Sequence, residues 1–254
     1  MIKISAAIIT FNEEHNIERC IKSVMDVVDE IVVIDSFSTD KTKEICLQYK
    51  TKFIENPFAG HIQQKNFALS QTTHDIVLSL DADEALDDKL REQITALKSN
   101  FTKDGYFFNR LTNYNGQWIY HCGWYPDKKL RLFNKHKAKW AGVNPHDIIE
   151  MSEGTSTQYI SGNLLHYSYD SITDHINQTN KFTTIAAKEA YNRGVRSSVF
   201  KIVSRPILKF FKDYFLKRGF LDGRYGFIIC CINSLSALLK FSKIYDLQTQ
   251  RRID

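Results

Sequence analysis

The chain has 254 residues, 43% of them hydrophobic and 25% charged, with only 11 Gly and 4 Pro. These proportions belong to a globular chain of one large or two small domains with a sizeable core, and they exclude a disordered, collagen-like or linker-rich one. The net charge of +5 is uneven: residues 196–254 hold twelve Lys or Arg against four Asp or Glu, and the first 195 residues are slightly acidic. A basic tail on a near-neutral body suits an anionic partner, nucleic acid or membrane surface, or else a solvated basic face. Cys20, Cys46, Cys122, Cys230 and Cys231 form no CxxC pair, which points to reduced thiols and a cytoplasmic home. The opening MIKISAAIITFNEE lacks the basic and long apolar regions of a signal peptide.

The first hundred residues alternate strand and helix. Residues 4–9 read as a buried strand, and Asn12 is placed to cap a helix whose apolar stripe is Ile17, Cys20, Ile21 and Val24. Ile31-Val32-Val33-Ile34 is a second strand. Thr39 or Asp40 can cap a helix carrying Ile45, Cys46 and Tyr49, and Phe53-Ile54 is a short third strand. A helix around 63–70, a fourth strand at 76–80 and a helix marked by Leu90, Ile94 and Leu97 follow. Apolar strands alternating with helices predict an α/β fold with a mainly parallel sheet covered on both faces. Ligands bind beyond the carboxyl ends of such strands, and here those ends are polar: Thr10-Phe11-Asn12-Glu13, Asp35-Ser36 and Asp81-Ala82-Asp83-Glu84.

After residue 105 the pattern turns aromatic and strand-like, with Tyr106-Phe107-Phe108, a stretch at 111–114, an Asn115-Gly116 hairpin signal and Trp118-Ile119. Lys129-Leu130-Arg131-Leu132-Phe133 alternates as a strand with one polar face. Residues 171–193 return to helix, with Ile172, Ile176, Thr179, Ile185 and Ala186 near one side and Gly194 as its stop. Pro206 suits the first position of a helix, on which Ile207, Phe210, Phe211, Tyr214 and Phe215 form a stripe among Lys209, Lys212, Lys217 and Arg218. The uncharged run 225–239 is 15 residues. A span needs about 20, so this run is not read as transmembrane. The tail predicts either two amphipathic helices docked on the body, a basic amphipathic surface on anionic lipid, or an oligomer interface.

Asp81 and Asp83 end an apolar strand. Alternate residues of an extended segment project to one side, so the two carboxylates can converge. Paired carboxylates suit Mg²⁺ or Mn²⁺ shared with phosphates; the plain alternative is a solvated acidic turn. Glu13 and Asp35 lie at neighbouring strand ends, and Lys65 can offer a positive charge to a phosphate or be an ordinary surface lysine.

Taken in order, Thr10-Phe11-Asn12-Glu13-Glu14, Val33-Ile34-Asp35-Ser36-Phe37-Ser38-Thr39-Asp40, Gln64-Lys65-Asn66 and Leu78-Ser79-Leu80-Asp81-Ala82-Asp83-Glu84 resemble the family 2 inverting glycosyltransferases of the GT-A fold. Gly123-Trp124-Tyr125-Pro126-Asp127, Leu130-Arg131-Leu132-Phe133, His166-Tyr167-Ser168-Tyr169 and the segment 215–223 resemble one branch, that of the bacterial lipopolysaccharide inner-core β-1,4-glucosyltransferases. The resemblance implies a GT-A catalytic domain over 1–195, with a nucleotide-sugar half at 1–104 and an acceptor half at 105–195, and a basic helical extension over 196–254. It implies that Thr10, Phe11, Asn12 and Glu13 frame the nucleotide, that Asp35 meets uracil or ribose, and that Lys65 and Asp81 lie by the nucleotide-sugar. Asp83 would ligate the Mg²⁺ or Mn²⁺ cofactor, with His166 as a further metal or diphosphate contact or a structural histidine. In this branch the base follows a histidine after a Trp-containing strand, usually as His-Glu. Here the stretch is Trp140-Ala141-Gly142-Val143-Asn144-Pro145-His146-Asp147, so Asp147, one methylene shorter, is the candidate, with Asp127 and Glu84 as alternatives and a cap or salt bridge as the structural reading.

The implied activity moves a hexose, glucose from UDP-glucose, onto a lipid-anchored saccharide of the lipopolysaccharide or lipooligosaccharide inner core. The implied partners are a UDP-sugar donor, a lipid-linked acceptor and the inner-leaflet surface of the cytoplasmic membrane, with no nucleic acid. Two other readings compete. A nucleotidyltransferase also uses a sheet and paired aspartates, but TFNEEHN lacks its glycine-rich basic loop. A non-enzymatic nucleic-acid- or membrane-binding protein would use the basic tail, without a stacking or zinc motif in support.

Overall fold

The computed structural model describes residues 1–143 and 146–250; Asn144 and Pro145 of the Trp140 stretch and residues 251–254 of the tail lie outside them. The chain forms two compact units, the first of Met1–Leu111 and Asp127–Tyr167, the second of Thr112–Pro126 and the chain from Ser168 on.

The first unit begins β1 (Ile4–Thr10), α1 (Ile17–Val24), β2 (Glu30–Asp35), α2 (Thr42–Gln48), β3 (Lys52–Glu55), α3 (His61–Gln71) and β4 (Ile76–Asp81). It continues with β5 (Glu84–Leu86), α4 (Asp88–Leu97) and β6 (Gly105–Tyr114), whose last residues enter the second unit. There β7 (Gln117–Ile119) pairs back on β6 through the expected Asn115-Gly116 turn, both of whose residues have positive φ. The first unit resumes with β8 (Asp127–Asn134), β9 (Ala138–Val143), β10 (His146–Met151) and β11 (Thr157–Tyr169). The main sheet runs β3-β2-β1-β4-β8-β6-β11-β5, and β9 and β10 form a separate hairpin. Pairing is parallel from β3 to β4 and antiparallel for β4 with β8, β8 with β6 and β11 with β5, so the parallel character of the first hundred residues ends at β4.

Both faces of the parallel half are covered, which explains its nearly unbroken apolar strands. Side chains alternate across the sheet: Ile4, Ile8, Val33, Leu78 and Leu80 pack with the buried stripe of α1, while Ala7, Val32, Ile34 and Val77 pack with Ala68 and Leu69 of α3. Gly162 of β11 has φ +115 and passes α4 so closely that a Cβ would sit 2.6 Å from the Leu90 backbone, a conformation and an approach that only glycine allows.

Two of the expected caps fall elsewhere. Asn12 does not cap α1, which starts at Ile17. Its backbone has φ 54, and its side chain already accepts from Thr39 N at 2.8 Å, tying one loop to the next. At α2, Thr39 is not a cap; Asp40 accepts from Thr42 N at 3.0 Å, two positions before the residue that opens the helix. The Lys129–Phe133 alternation holds as a strand, but its polar side is not solvated, because Arg131 is buried.

The second unit contains α5 (Ile172–Asn192), α6 (Val199–Phe211), a π-helical turn at Lys212–Leu216, a 3₁₀ turn at Gly219–Asp222 and α7 (Gly223–Gln250). The long α7 packs along both α5 and α6. On α5 the buried face is His175, Thr179, Thr183, Ala187 and Ala190, whereas Ile172 and Ile176 are exposed, so the expected stripe is displaced around the helix. Pro206 sits inside α6 rather than at its start; the helix begins seven residues earlier behind Ser198, whose side chain accepts from Lys201 N. Ser198 supplies the orphan N–H partner that Pro206 would only have made unnecessary. The helical stretch from Gly219 to Thr249 is 31 residues, with an 18-residue window of mean hydropathy 1.6. By length and composition it can cross a membrane, so the shortness of the uncharged run does not exclude a span.

The two downstream motifs of the tail branch are structural partners. Buried Asp222 accepts from the backbone N–H of Tyr120 and His121 and from the His121 ring at 2.9 Å, holding the turn that leads to Gly123-Trp124. Gly226 lets α7 cross the 3₁₀ turn, since a Cβ there would lie 1.9 Å from Gly219 O.

Candidate active site

The loops that leave β1 and β2 are laced to each other. Ser36 N donates to Thr10 O (3.0 Å), Asn12 N to Ser38 Oγ (2.8 Å), Glu13 N to Thr42 Oγ1 (2.9 Å), and Glu14 N to Asp40 Oδ2 (3.0 Å). The predicted first-strand residues therefore stand on a fixed ledge. Thr10 is buried with an Oγ1 that has no partner among the described residues, Phe11 is exposed, and the Glu13 carboxylate accepts from Asn16 Nδ2. Asp35 is brought to the same ledge but is 1% exposed; its oxygens accept from Ser38 N and Ser38 Oγ.

Gln64-Lys65-Asn66 opens α3 and connects three strands. Gln64 donates to Ser36 Oγ beyond β2, and Asn66 exchanges two hydrogen bonds with the backbone of Trp140 on β9. Between them Lys65, 3% exposed, is not a surface lysine. Its Nζ lies 2.9 Å from Asp81 Oδ1, 2.7 Å from Asp147 Oδ2 and 4.3 Å from the centre of the Trp140 ring. Arg131 of β8 adds its Nη2 at 3.3 Å from Asp81 and 2.8 Å from Glu84. Burial alone would raise the Asp81 pKa, but Lys65 and Arg131 outweigh it and hold the carboxyl well below the usual carboxylate range. Burial likewise disfavours the Arg131 charge, and Glu84, Asp81 and Asp147 overcome it, keeping the guanidinium protonated. Lys65, Asp81, Arg131, Trp140 and Asp147 line one cavity of about 360 Å³ with Arg110, Lys128 and Lys129 on its other side.

Asp81 and Asp83 do not converge on one partner. Asp81 is the last residue of β4 and Asp83 lies in the turn before β5, so the extended-strand geometry ends between them. Asp83 Oδ2 instead meets His166 Nε2 of β11 at 3.1 Å, where the backbones of β5 and β11 pair. His166 Nδ1 is buried without a partner among the described residues. One carboxylate and one imidazole are donors that Mg²⁺ or Mn²⁺ accepts. No group of three His, Cys, Asp or Glu comes together among the described residues, so a cation on this pair would complete its shell from phosphate and water oxygens. The residues fit such an ion in that form.

Of the alternative bases, Glu84 is fully buried, accepts from Asp81 N at 3.0 Å and is held by Arg131. Asp127 is shared by Arg110 and Lys129 at 2.9 and 3.0 Å. Asp147 is part-buried in the cavity wall. The sequence reading missed Arg131, Arg110 and the Trp140 ring as members of this site. The one local trace was Arg131 itself, a charge between two leucines, but β8 opens on Asp127, Lys128 and Lys129, so the same pattern also fits a solvated strand face.

The family model for Glycosyl transferase family 2 matches residues 5–211. The chain is 32% identical to an uncharacterised glycosyltransferase of Rickettsia typhi, over 99% of this chain and 90% of that one. It is 30% identical to the lipopolysaccharide core biosynthesis glycosyltransferase LpsC of Rhizobium meliloti, over 96% and 92% of the two chains. Among solved structures, glucosyl-3-phosphoglycerate synthase of Mycobacterium tuberculosis, in complex with Mn²⁺, UDP and glucosyl-3-phosphoglycerate, overlays 77% of this chain and 81% of its own at 16% identity and a TM-score of 0.49. The chain belongs to glycosyl transferase family 2. Its sheet, with helices over the parallel half, is an α/β fold of the GT-A type.

Proposed function

We propose that this transferase moves glucose from UDP-glucose, with inversion, onto a lipid-anchored saccharide of the lipopolysaccharide or lipooligosaccharide inner core at the inner face of the cytoplasmic membrane. The observation that carries the reading is the Lys65 ammonium held between Asp81 and Asp147 at the carboxyl ends of the strands, beside the Asp83–His166 pair. The name of the Rhizobium relative supports the choice of acceptor.

In this reading Thr10, Phe11, Asn12 and Glu13 frame the nucleotide on the laced ledge, and Asp35 borders the nucleoside while holding the Ser38 turn. Lys65 lies near the nucleotide-sugar and Asp81 near the ribose or donor sugar. Asp147 takes the proton of the acceptor hydroxyl as its oxygen attacks the anomeric carbon and the bond from that carbon to UDP breaks. Asp83 and His166 would hold Mg²⁺ or Mn²⁺, which supplies charge neutralisation for the departing diphosphate.

The second unit supports the membrane setting. Phe200, Leu208, Phe211, Phe215 and Leu216 are 79%, 62%, 54%, 52% and 80% exposed, with Arg205, Lys212 and Arg218 exposed among them. Large exposed apolar side chains rimmed by cations suit an anionic lipid interface. Phe210 and Tyr214, by contrast, pack against the buried cluster of Tyr114, Ile119 and Tyr225. The test is a panel of radiolabelled nucleotide sugars offered with and without membranes carrying truncated core saccharide. Label should enter lipid from UDP-glucose; entry from no UDP-sugar would refute the reading.

A further inference from the structure

We infer that the cavity beside Asp147 is built for an anionic group on the acceptor, a phosphate or carboxylate near the hydroxyl to be glycosylated, with Arg131, Trp140 and Lys128 as its donors. This deepens the transferase reading and rests on it. Lys65 is taken by Asp81 and Asp147. Arg110 and Lys129 share Asp127. Arg131, 4% exposed, engages Glu84 and Asp81 through Nη2, leaving Nε and Nη1 buried without a hydrogen-bond partner among the described residues. Trp140, also 4% exposed, has an Nε1 with no partner among the described residues. Lys128 lies at the rim with its Nζ 5.4 Å from the centre of the Tyr159 ring and no carboxylate partner among the described residues.

Every carboxylate facing this cavity is thus already answered by a cation, and three buried N–H-bearing nitrogens have no hydrogen-bond partner among the described residues. Native interiors rarely leave such donors empty, and a cluster of them in a cavity wall points to acceptor oxygens supplied from outside. A guanidinium edge, an indole N–H and an ammonium together match the oxygens of a phosphate or carboxylate better than they match a neutral hydroxyl, because the guanidinium fork is planar and permanently charged. The donor diphosphate belongs at Asp83 and His166 in the proposed reading, so the anion here is on the acceptor. An acceptor with that charge would be aligned with its hydroxyl toward Asp147.

The test is calorimetry on the full-length protein saturated with UDP and Mn²⁺, titrated with mannose 6-phosphate, mannose and inorganic phosphate. Mannose 6-phosphate should bind about tenfold or more tightly than mannose, the scale of one charge-assisted hydrogen bond. Lys128→Gln should weaken the sugar phosphate several-fold and leave UDP affinity unchanged. Arg131→Lys, which keeps charge and loses the fork, should weaken it further in protein shown by its thermal melt to be folded. Equal affinity for mannose and its phosphate, or sugar phosphate binding indifferent to Lys128→Gln, would overturn the inference. So would binding of the sugar phosphate to UDP-free protein that is lost once UDP is present, which would give the cluster to the donor. Failure of UDP itself to bind would refute the transferase reading instead, and is scored separately from the anion titration.

Discussion

A buried ammonium between two carboxylates decides the chemistry of single residues here. If Asp147 is the base, Asp147→Asn should lower turnover by about 10²–10⁴, with UDP affinity retained because the base faces the acceptor. Asp83→Asn and His166→Gln should abolish the tightening of UDP binding by Mn²⁺, read by titration with and without EDTA; unchanged tightening would remove the metal from this pair. Arg131 also carries stability. Arg131→Met takes from Glu84, fully buried, its 2.8 Å cation and leaves only Arg110 at 3.9 Å, and breaking a buried pair in this way costs about 3–5 kcal/mol; a denaturant midpoint within error of wild type would contradict it. At this scale the sequence is legible where polar residues follow an apolar strand, as at Asp81 and Lys65. It is not legible at Arg131, whose alternation with leucine looks like a solvated strand face, because nothing local shows that the other side of β8 faces Asp81 and Glu84.

Among the elements, strands and helices of the first unit follow their apolar periods closely, since burial on both faces leaves few other patterns. Caps and helix starts do not, because they turn on one side chain whose oxygen can be claimed by a neighbouring loop, as Thr39 N claims Asn12, or on a serine upstream of a better-known signal, as at Ser198 and Pro206. The displaced stripe of α5 has a further consequence: it buries His175, 4% exposed, against Tyr114, Trp124 and Tyr169. Burial lowers its pKa from 6.5 to about 4. The unfolded chain therefore binds this proton first as pH falls, and stability contributed by the neutral imidazole is full above pH 6.5 and is lost between about 6.5 and 4. The loss from this group is on the order of 3 kcal/mol. His175→Phe should flatten that part of the stability–pH curve measured by urea unfolding; an unchanged slope would place the acid sensitivity elsewhere.

Across the whole chain, the charge asymmetry between the first 195 residues and the tail is the feature that connects composition to setting. Not all of its lysines face outward. Asp213 is completely buried and pairs with Lys209 at 2.7 Å and Lys217 at 3.6 Å, so those two are bound into the second unit. Arg205, Lys212 and Arg218 are exposed beside the apolar surface. An anionic leaflet attracts each nearby cation by about 1 kcal/mol, and salt screens the attraction. The full-length protein should therefore pellet with anionic vesicles, less so as salt rises, and little with neutral ones. Changing Arg205, Lys212 and Arg218 to Gln should release it, whereas Lys209→Gln should act chiefly by lowering the melting temperature. Equal binding to neutral and anionic vesicles would assign the surface to another partner. The family resemblance carried the general fold at this scale, but which cations are free became visible only once Asp213 was found inside.

The most direct measurement of the central claim is the anomeric configuration of the first product. Full-length enzyme, UDP-α-glucose, Mn²⁺ and a truncated inner-core acceptor are incubated together, and the new linkage is read by proton NMR, with Asp147→Asn as the control. A β-linked glucose formed by the wild-type protein and lost in Asp147→Asn is the result predicted by a single displacement with Asp147 as base. An α-linked product, or β-linked product formed at the same rate by Asp147→Asn, would contradict it.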